Sequence, residues 1–200
     1  MDGNVKTVTI RKTPTQQWFV SIVCEDVPTH HLPPLPECVG IDGGLKTFAM
    51  LSNGRSIDNP KFYQTEQMNL AKVQHRLSLC EMGSIDRQKA KKVVCRVHER
   101  ISNKREDVIQ TLSRILVNQY GMICFEDLNI QTMTRNPAFT KGILDAPWSK
   151  LVHYTTCKAE DAGGVVVLVN PRNPFPMGSR CRQIGAQGIS VRVHNCPHCG

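Results

Sequence analysis

The sequence predicts a mixed α/β fold, in which helices pack against a sheet. Three short strand patterns follow one another across residues 37–58, and long helical patterns come next. Two short apolar runs, at 122–126 and 165–169, then return the chain to strand structure. Because strands, crossing helices and further strands alternate along the chain, a mixed α/β sheet is implied.

The composition fits one domain of ordinary size, or one domain with small appendages. The chain has 200 residues, 40% of them hydrophobic, and a formal net charge of +8. Such a basic chain is typical of proteins that bind nucleic acid or anionic membrane surfaces. No apolar run approaches the roughly 20 residues of a membrane span, and residues 1–12 have no signal-peptide core. We therefore expect a cytoplasmic protein without a membrane partner, nucleoid-associated if the source is prokaryotic.

The N-terminal part is predicted to form two antiparallel strands. Residues 4–12 and 17–26 alternate apolar and polar side chains, and Thr13-Pro14-Thr15 joins them. Two strands alone are not stable, so we expect them to belong to a β-domain whose other part lies outside this chain. A proline-rich linker, 30–36, follows.

The next segment is predicted to form three strands, at 37–42, 46–51 and 55–58. The turn Asp42-Gly43-Gly44 separates the first two. Ser52-Asn53-Gly54-Arg55 separates the last two and is a strong hairpin signal.

Two helices are expected next, at about 62–80 and 86–119, because apolar residues keep a helical period in both. Between 87 and 114 the second helix carries nine Lys or Arg against three Asp or Glu. This charged face is either a solvated helix surface or a track for nucleic-acid phosphates, and composition leaves both open. The candidate phosphate-binding residues are Lys91, Lys92, Arg96, Arg100, Lys104 and Arg105.

The C-terminal half is predicted to contain a central strand at 122–126, since that run is apolar throughout. A polar loop at 129–146 and a helix at about 147–161 follow, and 165–169 is expected to be a second buried strand.

Two acids occupy a special position in this pattern. Asp42 and Glu126, 84 residues apart, each end an apolar strand. A buried carboxylate needs a cation or hydrogen-bond donors, and a pair of carboxylates can hold Mg²⁺ for phosphodiester hydrolysis. The alternative is that each acid caps a turn or a helix, as Asp often does.

The nine cysteines do not indicate a disulfide scaffold, because the count is odd and no secretory signal is visible. Five of them lie among apolar neighbours and are interpreted as small buried residues in a reducing compartment: Cys24, Cys80, Cys95, Cys124 and Cys157.

Three other cysteines have surroundings typical of metal ligands. Cys196 and Cys199 form a CxxC half-site, and Cys181 begins a similar knuckle in which Ile184 stands where a second thiol belongs. A structural zinc site needs four ligands. We therefore expect zinc to bind weakly or not at all.

Six motifs in a fixed order resemble the TnpB (OrfB) proteins of insertion sequences, which are similar to the compact type V CRISPR nucleases. They are GIDGGLKTFAMLSNG, LAKVQHRLS, HERISNKREDVIQTLSRILV, ICFEDLNI, APWSKLVHYTTCKAEDAGGVVVLVNPRN and the terminal CPHCG. The resemblance covers nearly the whole chain.

The resemblance implies a RuvC-like domain of RNase H-type fold that cuts DNA with Mg²⁺ under the direction of a guide RNA. Residues 1–36 would be the end of a β-barrel (wedge-like) domain and a linker. Residues 37–177 would be the nuclease domain with an inserted helical hairpin at 62–119, and 178–200 a partial, degenerate zinc ribbon.

The resemblance also implies roles for single residues. Asp42 and Glu126 match the first and second catalytic acids, and Cys181, Cys196 and Cys199 match three of four zinc ligands. The family's third acid lies in an Asp-Arg-Asp run after the last knuckle, and the sequence ends at Gly200 before it. We therefore expect a truncated copy that is inactive alone. The alternatives are a non-catalytic, repressor-like protein that binds DNA or RNA, and a decayed transposase remnant.

Overall fold

A computed structural model describes residues 3–29, 31–128, 134–135, 137–170, 181 and 198. Seven strands and four helices lie within this part of the chain. The strands are β1 (Asn4–Lys12), β2 (Trp18–Glu25), β3 (Cys38–Gly43), β4 (Thr47–Leu51), β5 (Ser56–Asp58), β6 (Met122–Glu126) and β7 (Val165–Val169). The helices are α1 (Phe62–Ser78), α2 (Ile85–Gln119), α3 (Pro137–Asp145) and α4 (Trp148–Ala162).

Five of the strands form a mixed sheet in the order β5-β4-β3-β6-β7. The first three along the chain pair antiparallel, whereas β3 pairs with β6, and β6 with β7, in parallel. The predicted mixed α/β sheet is thus confirmed. Its centre joins β3 and β6, two strands that come from opposite sides of the long helical insert.

One face of the sheet carries the main core. The alternate side chains of the two central strands that point there are at most 6% exposed: Val39, Ile41, Ile123 and Phe125. Helices α2 and α4 cover them with side chains that include Ile109, Leu116 and Leu151. Burying each side chain of this size contributes about 1.5–3 kcal/mol, so this layer fixes the strand ends on which the candidate acids lie.

Helices α1 and α2 form the expected helical hairpin, with a small core of its own. That core consists of Phe62, Leu70, Val97 and Ile101. At 35 residues, α2 is about 52 Å long. Its N-terminal half packs on α1 and its C-terminal half packs on the sheet, so one continuous helix connects the two cores.

The N-terminal strands β1 and β2 pair antiparallel as a separate two-stranded sheet. Their apolar side chains are exposed on both faces; Ile10 and Trp18, for example, are each 64% exposed. The turn between them touches α2, where the Thr15 hydroxyl donates to the Glu99 carboxylate over 2.7 Å. The predicted hairpin is confirmed, whereas its membership of a β-barrel stays a prediction.

The structure corrects the predicted loop at 129–146, because Pro137–Asp145 is a helix. The polar composition of this segment favoured a loop, but Pro137 is compatible with a helix because proline is well tolerated in the first helical turn. Tertiary packing also supports the helix, since Ile143 is 3% exposed in the main core.

Strand β7 is not buried as expected. Within the described residues it pairs on one side only, with β6, and most of its side chains are exposed. Among the residues that the structure describes, its apolar run therefore lies at the edge of the sheet.

The cysteines expected to be buried are also more accessible than predicted. Cys157 is exposed, and Cys24, Cys80, Cys95 and Cys124 are partly exposed. None of the described helices is long and apolar enough to cross a membrane.

Candidate functional site

The two predicted acids come together in the structure. The register pairs Ile41 with Phe125, so Asp42 and Glu126 end neighbouring parallel strands at the same level. Side chains alternate along a strand. Because Ile41 and Phe125 point into the core, the two carboxylates point away from it, onto the opposite face of the sheet.

The carboxyl groups influence each other. Burial raises the pKa of Glu126 above its ordinary value of 4.5, and the negative charge of Asp42 and a hydrogen bond with it raise that pKa further. Two carboxylates this close repel each other unless a proton or a cation lies between them. The pair is therefore a place where positive charge is favoured.

The acids border a cavity of about 420 Å³ on this second face of the sheet. Gly40 and Ser52 form part of its wall, and the Ser52 hydroxyl accepts a hydrogen bond of 3.0 Å from the backbone N–H of Gly40. Most of the remaining wall is apolar, with Met50, Cys124 and Val169 among its residues. A cation in this cavity would meet oxygen ligands from Asp42 and Glu126, which are the ligands that Mg²⁺ prefers.

Trp148 supports this end of β3 from the core side. Its indole N–H donates to the backbone carbonyl of Phe48. A side chain at Gly43 would come within 3.2 Å of both the Trp148 indole and Leu128. Sequence reasoning did not single out Trp148, although a tryptophan at the start of a helix directly after Ala146-Pro147 was a visible signal.

A comparison with protein-family models shows the family to which this chain belongs. A model of the OrfB_IS605 family, described as a probable transposase, matches residues 21–137. That span exceeds half of the 200 residues and includes both Asp42 and Glu126. The chain belongs to the OrfB (TnpB) family.

Curated relatives of this OrfB-family chain carry consistent names. A "Putative RNA-guided DNA endonuclease" of Streptomyces pristinaespiralis is 35% identical over 198 residues, covering 97% of this chain and 48% of the relative. "Putative RNA-guided DNA endonuclease InsQ" of Escherichia coli (strain K12) is 29% identical, covering 84% of this chain and 46% of the relative. The OrfB-family chain thus spans about half the length of these relatives.

A solved structure shares the fold. One chain of a Cas12f1–sgRNA–target DNA complex matches with a TM-score of 0.62 at 16% sequence identity. The match covers 91% of the OrfB-family chain and 40% of the Cas12f1-complex chain. At this identity the similarity concerns the fold alone.

The expected zinc ligands of the OrfB-family chain stay a prediction. Cys181 is partly exposed, whereas Cys196 and Cys199 lie outside the described residues. Among the residues that the structure does describe, no group of three or more His, Cys, Asp or Glu side chains could hold a metal ion.

Four of the six predicted phosphate-binding residues on α2 are exposed and form no ion pair within the described residues. Lys91, Lys92, Arg96 and Arg100 are exposed. By contrast, Lys104 pairs with Glu66 of α1 at 3.2 Å, and the half-buried Arg105 pairs with Asp145 of α3. Arg105 therefore joins α2 to α3 and is not part of an open phosphate-binding face.

Proposed function

We propose that this OrfB-family chain is the RuvC-like core of an RNA-guided DNA endonuclease that hydrolyses DNA phosphodiesters with Mg²⁺. The observation that carries the proposal is the convergence of Asp42 and Glu126 at the ends of adjacent parallel strands, beside a cavity. An antiparallel three-strand unit followed by two parallel strands supports the RNase H-type assignment. The names of the relatives support DNA as substrate and a guide RNA as partner.

Asp42 and Glu126 would hold the metal ion. When bound, Mg²⁺ supplies Lewis-acid stabilisation of charge on the phosphate oxygens and a more acidic water. Glu126 must be ionised to act as a ligand, so metal binding displaces the proton that its raised pKa favours.

The described part of the chain brings two carboxylates together at this cavity, whereas the family resemblance implies three acids. We propose that the pair binds Mg²⁺ and that this chain alone gives no DNA cleavage above an Asp42→Ala control. Metal binding, which requires no turnover, is therefore the deciding measurement.

The test is isothermal titration of purified chain with Mg²⁺ at neutral pH. Loss of a residue that only supports a metal ligand typically weakens metal affinity about 10–100-fold. Asp42→Asn and Glu126→Gln each remove a proposed ligand, so each should weaken Mg²⁺ affinity at least that much. Asp127→Asn is the matched control, because Asp127 follows Glu126 directly but is exposed and does not line the cavity. Equal Mg²⁺ affinity in wild type and both site variants would contradict the proposal.

A second candidate function is nucleic-acid binding without catalysis, as in a repressor. The observation that favours it is the set of exposed cations on α2 that form no ion pair within the described residues: Lys91, Lys92, Arg96 and Arg100. Such contacts release counterions, so affinity should fall steeply with salt. Two results together would favour this function over the first. Salt-dependent nucleic-acid binding should persist in Asp42→Ala and in EDTA, and the wild-type chain should not bind Mg²⁺.

A further inference from the structure

The helical hairpin carries a groove on one side, close to the turn between α1 and α2. The groove encloses a cavity of about 610 Å³, which lies within the range of small-molecule sites. Lys72 and Arg76 of α1 and Lys89 of α2 line it. Both helices therefore contribute cations to one concave surface, whereas the sequence indicated cations on α2 alone.

The positive charge of the groove is largely uncompensated. Within the part of the chain that the structure describes, Lys72 and Arg76 form no ion pair. Asp86 is the one acid in the lining; it approaches Lys89 at 3.5 Å, with both side chains more than 70% exposed. An exposed pair of this kind contributes little, so the groove keeps a net positive charge.

The neighbouring Arg87 shows that the cations of the groove are not needed to complete the hairpin. Its guanidinium donates to the backbone carbonyls of Leu77 and Cys80, each at 3.1 Å, and so satisfies the C-terminal end of α1. Ser84 accepts from the backbone N–H of Arg87 and caps α2. The hairpin turn is therefore complete without Lys72, Arg76 or Lys89.

The floor of the groove is apolar. Val73 and Ala90 lie at its base, and Leu79 and Val93 remain 74% and 41% exposed at its edges. A partner that suits this surface must present anionic groups to the rim and apolar faces to the floor. An unpaired nucleic-acid strand has both, since phosphates alternate with ribose carbons and base faces.

We propose that this groove binds an unpaired RNA strand, with phosphates on Lys72, Arg76 and Lys89 and ribose or base faces on the apolar floor. Arg96 and Arg100 follow Lys89 by seven and eleven residues, which places them on the same side of α2. They extend the track along the helix towards the sheet.

This inference rests on the proposed function for its partner, a guide RNA, but its test is independent of the metal site. The probe is a fluorescein-labelled single-stranded RNA of about 15 nucleotides, titrated with full chain in EDTA and followed by fluorescence anisotropy. Lys72→Ala/Arg76→Ala should weaken RNA binding about 10-fold. It should also reduce the slope of log affinity against log salt by about 1.4, since each lost contact to a single strand removes about 0.7.

The matched control is Arg114→Ala/Lys141→Ala, which removes one Arg and one Lys from exposed positions outside the groove. It should leave the salt slope within about 0.3 of wild type, and Lys72→Arg/Arg76→Lys should restore RNA affinity. An equal loss in the control, or an unchanged slope in the groove variant, would overturn the groove proposal. If the wild-type chain binds no RNA, both the groove proposal and the proposed RNA guidance are overturned. If only Mg²⁺ binding fails, the groove proposal still stands.

Discussion

The indole N–H of Trp148 donates a hydrogen bond of 2.9 Å to the backbone carbonyl oxygen of Phe48, and the two rings stack with their centroids 6.4 Å apart. Trp148 opens α4 and Phe48 lies in β4, so the contact ties a helix to the strand next to β3. Both side chains are at most 5% exposed. This pair holds the core beneath the strand end that carries Asp42.

Replacing Trp148 by Phe should therefore destabilise the fold. The carbonyl of Phe48 would keep the hydrogen bond from the backbone N–H of Gly44 but lose the one from the indole, which contributes about 0.5–1.5 kcal/mol, and the smaller ring would leave a cavity. Urea unfolding measures the loss. Trp18→Phe is the control, because Trp18 is 64% exposed. The free energy of unfolding of this variant should stay within about 0.5 kcal/mol of the wild-type value. Similar values for the two variants would contradict this account.

Among the acids of the helices, Asp145 should cost the most stability when it is substituted. Both of its carboxylate oxygens accept from the backbone N–H of Tyr63 at 3.0 Å, in the first turn of α1, and the same group pairs with Arg105. Asp145→Ala would leave Arg105, which is 26% exposed, without its counter-charge. We expect a loss of about 3–5 kcal/mol in thermal or urea unfolding.

A double-mutant cycle separates the Arg105–Asp145 ion pair from the hydrogen bond that Asp145 accepts from Tyr63. Combining Asp145→Ala with Arg105→Ala should show a coupling energy of about 0.5–3 kcal/mol, because the second change removes a charge that the first has left unpaired. Asp86→Ala, which breaks an exposed pair with Lys89, should cost about 0–1 kcal/mol. Additive effects of the first two changes would show that Arg105 does not depend on Asp145.

Glu106 should make stability depend on pH. Hydrogen bonds from Lys150 and then from Tyr154 hold the pKa of Glu106 below its ordinary value of 4.5. A lowered pKa means that the ionised carboxylate stabilises the fold above pH 4.5 and that this contribution is lost as pH falls through the folded-state pKa. Glu106→Gln should therefore lower the melting temperature at neutral pH, and the difference from wild type should vanish in acid. A difference that is independent of pH would refute the role of charge.

Glu126 should behave in the opposite sense. Burial and then Asp42 raise its pKa above 4.5, so the folded chain holds this proton more tightly than the unfolded chain. Stability is then lost as pH rises from about 4.5 through the folded-state pKa. In EDTA, Glu126→Gln should become more stable relative to wild type across that window. Excess Mg²⁺ should reverse the order if the wild type binds the ion, because a ligand of the native state stabilises it. An unchanged order in EDTA and Mg²⁺ would count against metal binding.

The elements that sequence predicts well are those with a local pattern. Strand β6 was expected at 122–126 and occupies those residues, and α2 was expected at 86–119 and begins one residue earlier. Periodicity and capping involve residues that are close in sequence, so they can be recognised from the sequence alone. The pairing of Asp42 with Glu126 came from their matching positions at strand ends, together with the family resemblance.

Contacts between distant segments could not be predicted in the same way. Trp148 and Phe48 are 100 residues apart, and Arg105 and Asp145 are 40 apart. No local pattern marks such partners, and so Arg105 was assigned to phosphate binding from its place on a charged helix. The groove required α1 and α2 to be seen side by side, because Lys72 and Arg76 lie on a helix with no evident run of charge.

The parallel pairing of β3 with β6 also sets the order in which the chain can fold. Val39 pairs with Ile123, 84 residues later, and loop closure over such a distance carries an entropic cost that rises with the logarithm of its length. The α1–α2 hairpin forms from nearer contacts, which generally form faster, and it replaces most of the intervening flexible chain by a rigid spacer. On a ribosome, the strand that carries Asp42 must therefore wait, unpaired on its β6 side, until the helical hairpin and then β6 have emerged.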